Sequence, residues 1–354
     1  MKNQQNKLIA GDCAHSYLNV SKKLNKLKGK SLFITGGTGF MGSWICEMVY
    51  YMNAVHDMDI SLFLMARNQD RFDKNFPYLK KSKKIKFIRS DVKDNLDLPK
   101  SINYIIHAAA NPDNRFHSSR PFESMTTVGE GTSALLQSAM RLSNLENIVN
   151  VSSSSVYSTT LKKGERFSEE LLGPCGDNRF SNSFSEANRY GEALCYSARS
   201  ELRLPITTVR PFTFCGAYQS IDSPWAINNF INDALHERPI RIHGDGKDIR
   251  SYMYGSDLAA WILVIMLHAK SGQTYNIGNS DAYSLKEIAE KVAIFFQPKS
   301  SIMTNTSLVM DHNHSILLPD VTKAKQDFGL EQFTDINIAI ERTAQWYKEG
   351  FNNA

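Results

Sequence analysis

Short apolar runs rich in β-branched and aromatic residues recur along the first two thirds of this chain, separated by stretches whose apolar positions are spaced for helices. "KSLFITGGTGFMGSWICEMVYYM" (30–52) reads as a buried strand, a glycine turn and a helix. "ISLFLMA" (60–66), "IKFIRS" (85–90), "INYIIHAAA" (102–110), "NIVNVSSSS" (147–155) and "PITTVRPFTFCG" (205–216) read as further strands. Several strand-helix units in series predict an α/β fold, a doubly wound parallel sheet with helices on both faces. Beyond residue 216 the pattern loosens into helices, short strands and turns such as "HGDGKD" and "NIGNSD", and ends in "INIAIERTAQWYKEG", whose apolar positions recur at helical spacing.

This organisation predicts a polar helical extension over 1–28, carrying apolar Leu18, Leu24 and Leu27, and a dinucleotide-binding domain over 29–215 rejoined by about 247–270. A smaller C-terminal substrate-binding cap follows from 216–246 and 271–350. No low-complexity or Pro/Gly-rich linker separates the parts, so a shared cleft is expected at the carboxyl ends of the strands, where open α/β sheets bind ligands.

Composition narrows the class. With 354 residues and 42% hydrophobic content the chain can bury a large core. Its net charge of +5 is not gathered into one long block, which argues against nucleic acid as a partner. The densest basic run, "KKSKKIK" (80–86), reads as a solvated loop leading into a strand. Five scattered cysteines without a CxxC pair fit a reducing compartment. The N-terminus lacks the apolar segment of a secretory signal, and "AAWILVIML" (259–267) is far shorter than the ~20 residues of a membrane span, so a soluble cytoplasmic protein with no membrane partner is expected. "DHNH" (311–314) lacks a second ligand set at suitable spacing and reads as a loop; no metal is expected.

The chemistry begins in "GGTGFMG". Gly36, Gly39 and Gly42 follow a strand and open a helix, where a tight turn, close backbone approach and free amide donors together make a pyrophosphate site. At the end of the second strand, "FLMARNQDR", the position for a carboxylate that would bond the ribose hydroxyls falls at Ala66, and Arg67 follows. A guanidinium there can grip a 2′-phosphate, so NADP is favoured over NAD. Asp91 in "RSDV" is placed at the adenine edge.

Together "TGGTGFMGS", "DVKD", "HAAA", "VSSSSVY", "RYGEALC", "VRPF", "HGDGKDIRSYMYGSDLA", "YNIGN" and "LPDVTKAK" resemble, in order and approximate spacing, the extended short-chain dehydrogenase/reductases of the NAD-dependent epimerase/dehydratase group, which act on nucleotide sugars. The likeness covers roughly residues 30–350. It implies a Rossmann-like domain with Thr38, Phe40, Met41, Val92, Ala108, Ala109, Ala110, Asn188 and Pro211 joining the glycines and Asp91 at the dinucleotide. It also implies a nucleotide diphosphate-sugar held by Ser153, Thr213 and Arg250, and a homodimer formed through the two long helices beside the central strands.

Members of the group oxidise a sugar hydroxyl with a Tyr as base, a Lys that lowers the Tyr pKa, and a Ser or Thr that orients the sugar. The Ser/Thr slot holds Ser153. The Tyr and Lys slots hold Phe184 and Asn188, and an Asn slot holds Val128. Residues 184 and 188 share a helix face, whereas Tyr190 lies about 120° round it and Glu186 points further away. A replacement group must therefore come from another segment, with Ser154, Ser155 and Tyr157 nearest in sequence to Ser153. Ser154 and Ser155 also stand where dehydratases often carry an Asp-Glu pair and decarboxylases a Glu, which leaves epimerase or keto-sugar reductase chemistry as the expectation. The alternatives are a catalytically impaired relative that binds both ligands, a mutant inactivated at Phe184 or Asn188, and a dehydratase or decarboxylase.

Overall fold

The structure is a computed structural model, and it describes residues 2–351 apart from 81, 112, 174–182, 297–299 and 306–313. In chain order its elements begin with α1 (Lys2–Leu24), β1 (Ser31–Thr35), α2 (Phe40–His56), β2 (Ser61–Ala66), α3 (Gln69–Asn75), β3 (Ile85–Arg89) and β4 (Tyr104–His107). There follow α4 (Asn114–Ser119), α5 (Pro121–Ala139), β5 (Asn147–Val151), α6 (Ser183–Leu202), β6 (Ile206–Pro211) and β7 (Phe214–Cys215). The remainder comprises α7 (Ala226–Leu235), β8 (Ile240–His243), β9 (Ile249–Arg250), β10 (Met253–Tyr254), α8 (Gly255–His268), β11 (Thr274–Ile277), β12 (Tyr283–Ser284), α9 (Leu285–Phe295), β13 (Ile302–Asn305), β14 (Ile316–Leu317), α10 (Thr322–Phe328) and α11 (Ile336–Phe351).

Seven parallel strands form the main sheet in the order β11-β6-β5-β4-β1-β2-β3. The order reverses between β1 and β4, which opens a crevice above their carboxyl ends. Both faces of the sheet are covered, so β1, "SLFIT", is buried at every position instead of alternating. The pleat still sorts its side chains. Leu32 and Ile34 join the layer of α1, α2 and α8, whereas Phe33 joins Leu135, Leu136 and Ala139 of α5 and Cys195 and Ala198 of α6 on the other face.

Two expectations are corrected. The segment 274–277, placed with the cap, forms the edge strand β11, because its register on β6 (Thr274 opposite Thr208, Ile277 opposite Pro211) extends the parallel ladder. The helix over 2–24 is part of the core. It packs on α2 and α8 through Ile9, Cys13, Tyr17, Val20 and Leu24, while Tyr254 donates to Asp12 at 2.7 Å and Ser16 donates to Asp257 at 2.8 Å. Of the apolar residues named in this extension, Leu24 and Leu27 are buried, whereas Leu18 is 71% exposed. The apolar run in α8 is buried all round between α1, α2 and the sheet, which explains why it shows no polar face. No helix among the described residues is long and apolar enough to cross a membrane. The cap places α7 and α9 against the β8-β13 pair, and β9 sits between β12 and β14.

Candidate active site

At the end of β1, Gly36 has a φ of +73°, and a Cβ on it would come within 2.6 Å of the Ala108 carbonyl oxygen. Gly42 is as constrained, since its Cβ would meet the Gly36 carbonyl oxygen at 2.6 Å. These contacts draw the β1-α2 turn against the strand end of β4. The N-cap of α2 is Gly39, which has no side chain over the helix start, and the first-turn amides beginning at Phe40 have no intrahelical acceptor. Thr38 is buried, and Phe40 and Met41 are half-buried against the core. The turn therefore has the shape and the donors that a pyrophosphate needs.

Beneath it runs a network that fixes the position of "HAAA". Thr35 Oγ1 accepts the amides of Ala108 at 3.1 Å and Ala109 at 3.2 Å and lies 2.9 Å from His107 Nδ1. With both of its acceptor sites taken, the hydroxyl donates its proton to Nδ1. Thr132 donates its own proton to the Val128 carbonyl at 2.7 Å, so it accepts from His107 Nε2, 3.1 Å away. One neutral tautomer satisfies every group. Burial pushes the His107 pKa down to about 4, in agreement with that assignment. His107 is thus a structural post under Ala108–Ala110, and it has no lone pair left for catalysis.

On the adenine side, Arg67 follows β2 with its side chain 72% exposed, and its Nη1 is 3.8 Å from the Asp91 carboxylate. Asp91 also accepts the Lys93 amide at 3.0 Å. Val92 faces the core, where it closes on Gly131 of α5. Pro211 is the last residue of β6 and is buried opposite Ile277.

Ser153 caps the short 3-10 turn Ser154–Val156, its Oγ accepting the Ser155 amide at 3.1 Å. Ser154 is buried, and the Oγ atoms of Ser152 and Ser155 are buried without partners among the described residues. Tyr157 is not available as a base. Its hydroxyl donates to Asn276 Oδ1 at 2.5 Å and accepts from Arg210, itself ion-paired with Glu192 at 2.7 Å, and burial pushes its pKa up to about 12.

Helix α6 brings Phe184 and Asn188 to the same face. The Phe184 ring stacks on His117 with centroids 3.9 Å apart and planes 16° apart. Asn188 is buried, and its Nδ2 donates to the Phe184 carbonyl at 2.7 Å. Together with Ala109, Ala110, Val128, Thr132, Asn150 and Val151 it lines a void of about 10 Å³, close to the space of one water. Tyr190 is turned away, 55% exposed against Gly129 of α5. Arg189 donates to the carbonyls of Val156 and Leu172 and so clamps the serine turn to α6.

In the cap, Arg250 has Nη1 donating to the carbonyls of Ile249 at 2.8 Å and Ser315 at 2.9 Å, with Nη2 3.8 Å from Asp248. The Thr213 carbonyl accepts the Met253 amide at 3.0 Å, which joins the chain after β6 to the start of β10. Among the described residues no hydrogen bond links either side chain to Ser153. Of residues 311–314 only His314 is described; its ring lies 3.6 Å from Asp245, and no group among the described residues could hold a metal ion. Arg189 and His117 were not singled out by the sequence. Arg189 stood inside "RYGEALC", but a lone His in "NRFHSSRP" gives no signal of its own, because its partners come from α5 and α6.

Residues 32–278 match the family described as "NAD dependent epimerase/dehydratase family". The chain is 24% identical to UDP-glucuronic acid decarboxylase 1 of Arabidopsis thaliana, over 91% of this chain and 71% of that protein. It is 26% identical to UDP-N-acetyl-alpha-D-glucosaminuronate decarboxylase of Bacillus cytotoxicus, over 90% and 98% of the two chains. It spans about half the length of the trifunctional plant dehydratase/epimerase/reductase relatives that it also matches. Among solved structures, UDP-glucuronic acid 4-epimerase of Bacillus cereus, in complex with UDP-glucuronic acid and NAD, is similar at a TM-score of 0.75 and 24% identity, covering 90% of this chain and 99% of that one. From its glycine turn to its edge strand, this chain belongs to the NAD dependent epimerase/dehydratase family.

Proposed function

We propose that the chain is an NAD(P)-dependent enzyme that modifies the sugar of a nucleotide diphosphate-sugar, of epimerase or keto-sugar reductase type, with Phe184 and Asn188 in place of the usual Tyr and Lys. The observation that carries the reading is the glycine turn drawn onto Ala108 beneath the open start of α2, with Asn188 lining a void beside Ala109, Ala110 and Val151 and Phe184 one helical turn before it. Bound there, the dinucleotide would accept and return a hydride. Gly36, Gly39 and Gly42 would hold its pyrophosphate, with Thr38, Phe40 and Met41 around it, and Ala108–Ala110, Asp91, Val92, Pro211 and Asn188 along its length. Ser153 would orient the sugar, and Thr213 and Arg250 would take the rest of the nucleotide sugar. Ser154 and Ser155 offer no carboxyl group for elimination or decarboxylation, although relatives with those activities match the chain.

The phosphorylated dinucleotide is favoured because Arg67 is exposed at the end of β2, with an acidic neighbour no closer than 3.8 Å. A homodimer through α5 and α6 fits the large side chains they expose, Phe122 and Met125 on one and Tyr190 and Tyr196 on the other. A reducing cytoplasmic setting fits the four described cysteines, all buried and free. A second reading, a binding relative without turnover, draws on one observation: Phe184 is covered by an imidazole and Asn188 by its own helix backbone, so neither slot offers an acid or base.

Calorimetric titration with NAD, NADP and a panel of UDP- and dTDP-sugars separates these readings when it is paired with absorbance at the reduced-nicotinamide band. Binding of both ligands with hydride transfer is expected. Binding without transfer selects the second reading, and no binding of either ligand rejects both.

A further inference from the structure

His117, on α4, is 4% exposed, and one of its ring nitrogens meets no hydrogen-bond partner of good geometry among the described residues. Nδ1 lies 2.7 Å from Ser124 Oγ of α5, and Nε2 is buried with no hydrogen-bond partner among the described residues. Buried polar atoms nearly always have a partner, and an orphan marks a place for a ligand group or an ordered water. The ring is stacked on Phe184, so its free nitrogen is one van der Waals layer from the ring that fills the phenol slot. Ser183, just before Phe184, donates to the His117 carbonyl at 3.4 Å, so α4 and the start of α6 meet at the backbone as well as at the rings. Burial pushes the His117 pKa below its ordinary value and so favours the neutral ring, while the nearby Asn111 carbonyl and Asp113 carboxylate act the other way. The other buried imidazole among the described residues, His107, has both nitrogens engaged.

We propose that His117 Nε2 is the acid/base group of this site, exchanging the proton of the sugar hydroxyl in place of the missing phenol. The assignment rests on the reading of the chain as a nucleotide-sugar enzyme. With Nδ1 protonated and donating to Ser124, the Nε2 lone pair takes the hydroxyl proton. The O–H electron pair becomes the second carbon–oxygen bond, and the hydrogen on that carbon leaves with its electron pair to the oxidised dinucleotide. The alcohol is oxidised to a ketone, the dinucleotide is reduced, and the proton resides on the imidazolium. Reduction of a keto-sugar runs the same exchange backwards, so a cycle of oxidation and reduction returns the proton to the product. Ser124 is a positioning residue, because it sets which nitrogen carries the resting proton.

Nitrogen NMR of histidine-labelled protein, together with single-turnover kinetics of the parent, His117→Gln and Ser124→Ala, tests this. Adding a sugar nucleotide to the dinucleotide-loaded parent should move the His117 Nε2 resonance. His117→Gln should keep both ligand affinities within about threefold while slowing hydride transfer by roughly 100-fold or more, the scale of general acid-base catalysis. Ser124→Ala should slow transfer less and shift the Nε2 resonance without ligand; it also decides the matter if His117→Gln does not fold. A sugar nucleotide that binds and leaves Nε2 unmoved, a parental rate in His117→Gln, or binding with no transfer in the parent overturns the assignment alone. If no sugar nucleotide binds, the reading of the chain fails and takes the assignment with it.

Discussion

Thr35→Val removes one hydroxyl at constant shape from a fully buried position. Three groups rely on that oxygen. The Ala108 amide keeps a second acceptor, the Thr35 carbonyl at 3.3 Å, but the Ala109 amide and His107 Nδ1 lose their only partners among the described residues. An unsatisfied buried group costs about 1–3 kcal/mol, so two should cost roughly 2–6 kcal/mol, a large part of a usual folding stability of about 5–15 kcal/mol. Because Ala108 and Ala109 form the far wall of the glycine turn, dinucleotide affinity should fall as well. Urea unfolding followed by circular dichroism reads the first effect as a lower midpoint at unchanged slope, and calorimetric titration reads the second. A midpoint shift equivalent to less than about 0.5 kcal/mol, with unaltered dinucleotide binding, would refute the reasoning that this network holds the cofactor wall, since that is the scatter of ordinary surface changes.

His107 should stay neutral until the pH approaches 4 in histidine NMR. Its folded pKa lies below the ordinary 6.5, so the native state binds fewer protons than the unfolded chain between those values, and stability falls by up to about 3 kcal/mol as pH drops from 6.5 to 4. Asp12, raised to about 6 by burial, acts with the opposite sign between 3.8 and 6, which makes the NMR titration the cleaner test. Arg250→Ala should weaken sugar-nucleotide binding about tenfold to a hundredfold, the worth of one charge-assisted contact; unchanged affinity in titration removes Arg250 from the ligand site. Arg67→Ala should erase the preference for NADP, and a parent that binds NAD equally well removes the role of Arg67. Phe184→Tyr with Asn188→Lys should raise hydride transfer in stopped-flow absorbance, whereas Asn188→Lys alone should do little, because Phe184 has no proton to exchange.

The pattern of β1 through β6 was readable because both faces of the sheet are covered, which turns buried strands into unbroken apolar runs, and because Gly36 and Gly42 leave a spaced signature of the contacts they permit. β11 escaped because "TYNI" is four residues long at a sheet edge, and its place depends on a ladder to β6, about 65 residues earlier. α1 reads from sequence as a polar extension because its many polar residues mask a stripe of Ile9, Cys13, Tyr17 and Val20 whose partners lie in α2 and α8. In the site, Phe184 and Asn188 could be aligned by their spacing of four on one helix. His117 could not, since what distinguishes it is an orphan nitrogen and a stacked ring, and both arise from three helices meeting.

The central claim, that a dinucleotide and a sugar nucleotide meet in this cleft for hydride chemistry without the usual phenol, is tested most directly in one single-turnover measurement. The unmodified chain is loaded with oxidised NADP or NAD and mixed with saturating UDP- or dTDP-sugars, and in parallel the reduced form is mixed with their keto counterparts. The account predicts a stoichiometric rise of the reduced-nicotinamide band with at least one sugar, or its decay with at least one keto form. A flat trace for every pair, with both ligands bound by calorimetry, would contradict it.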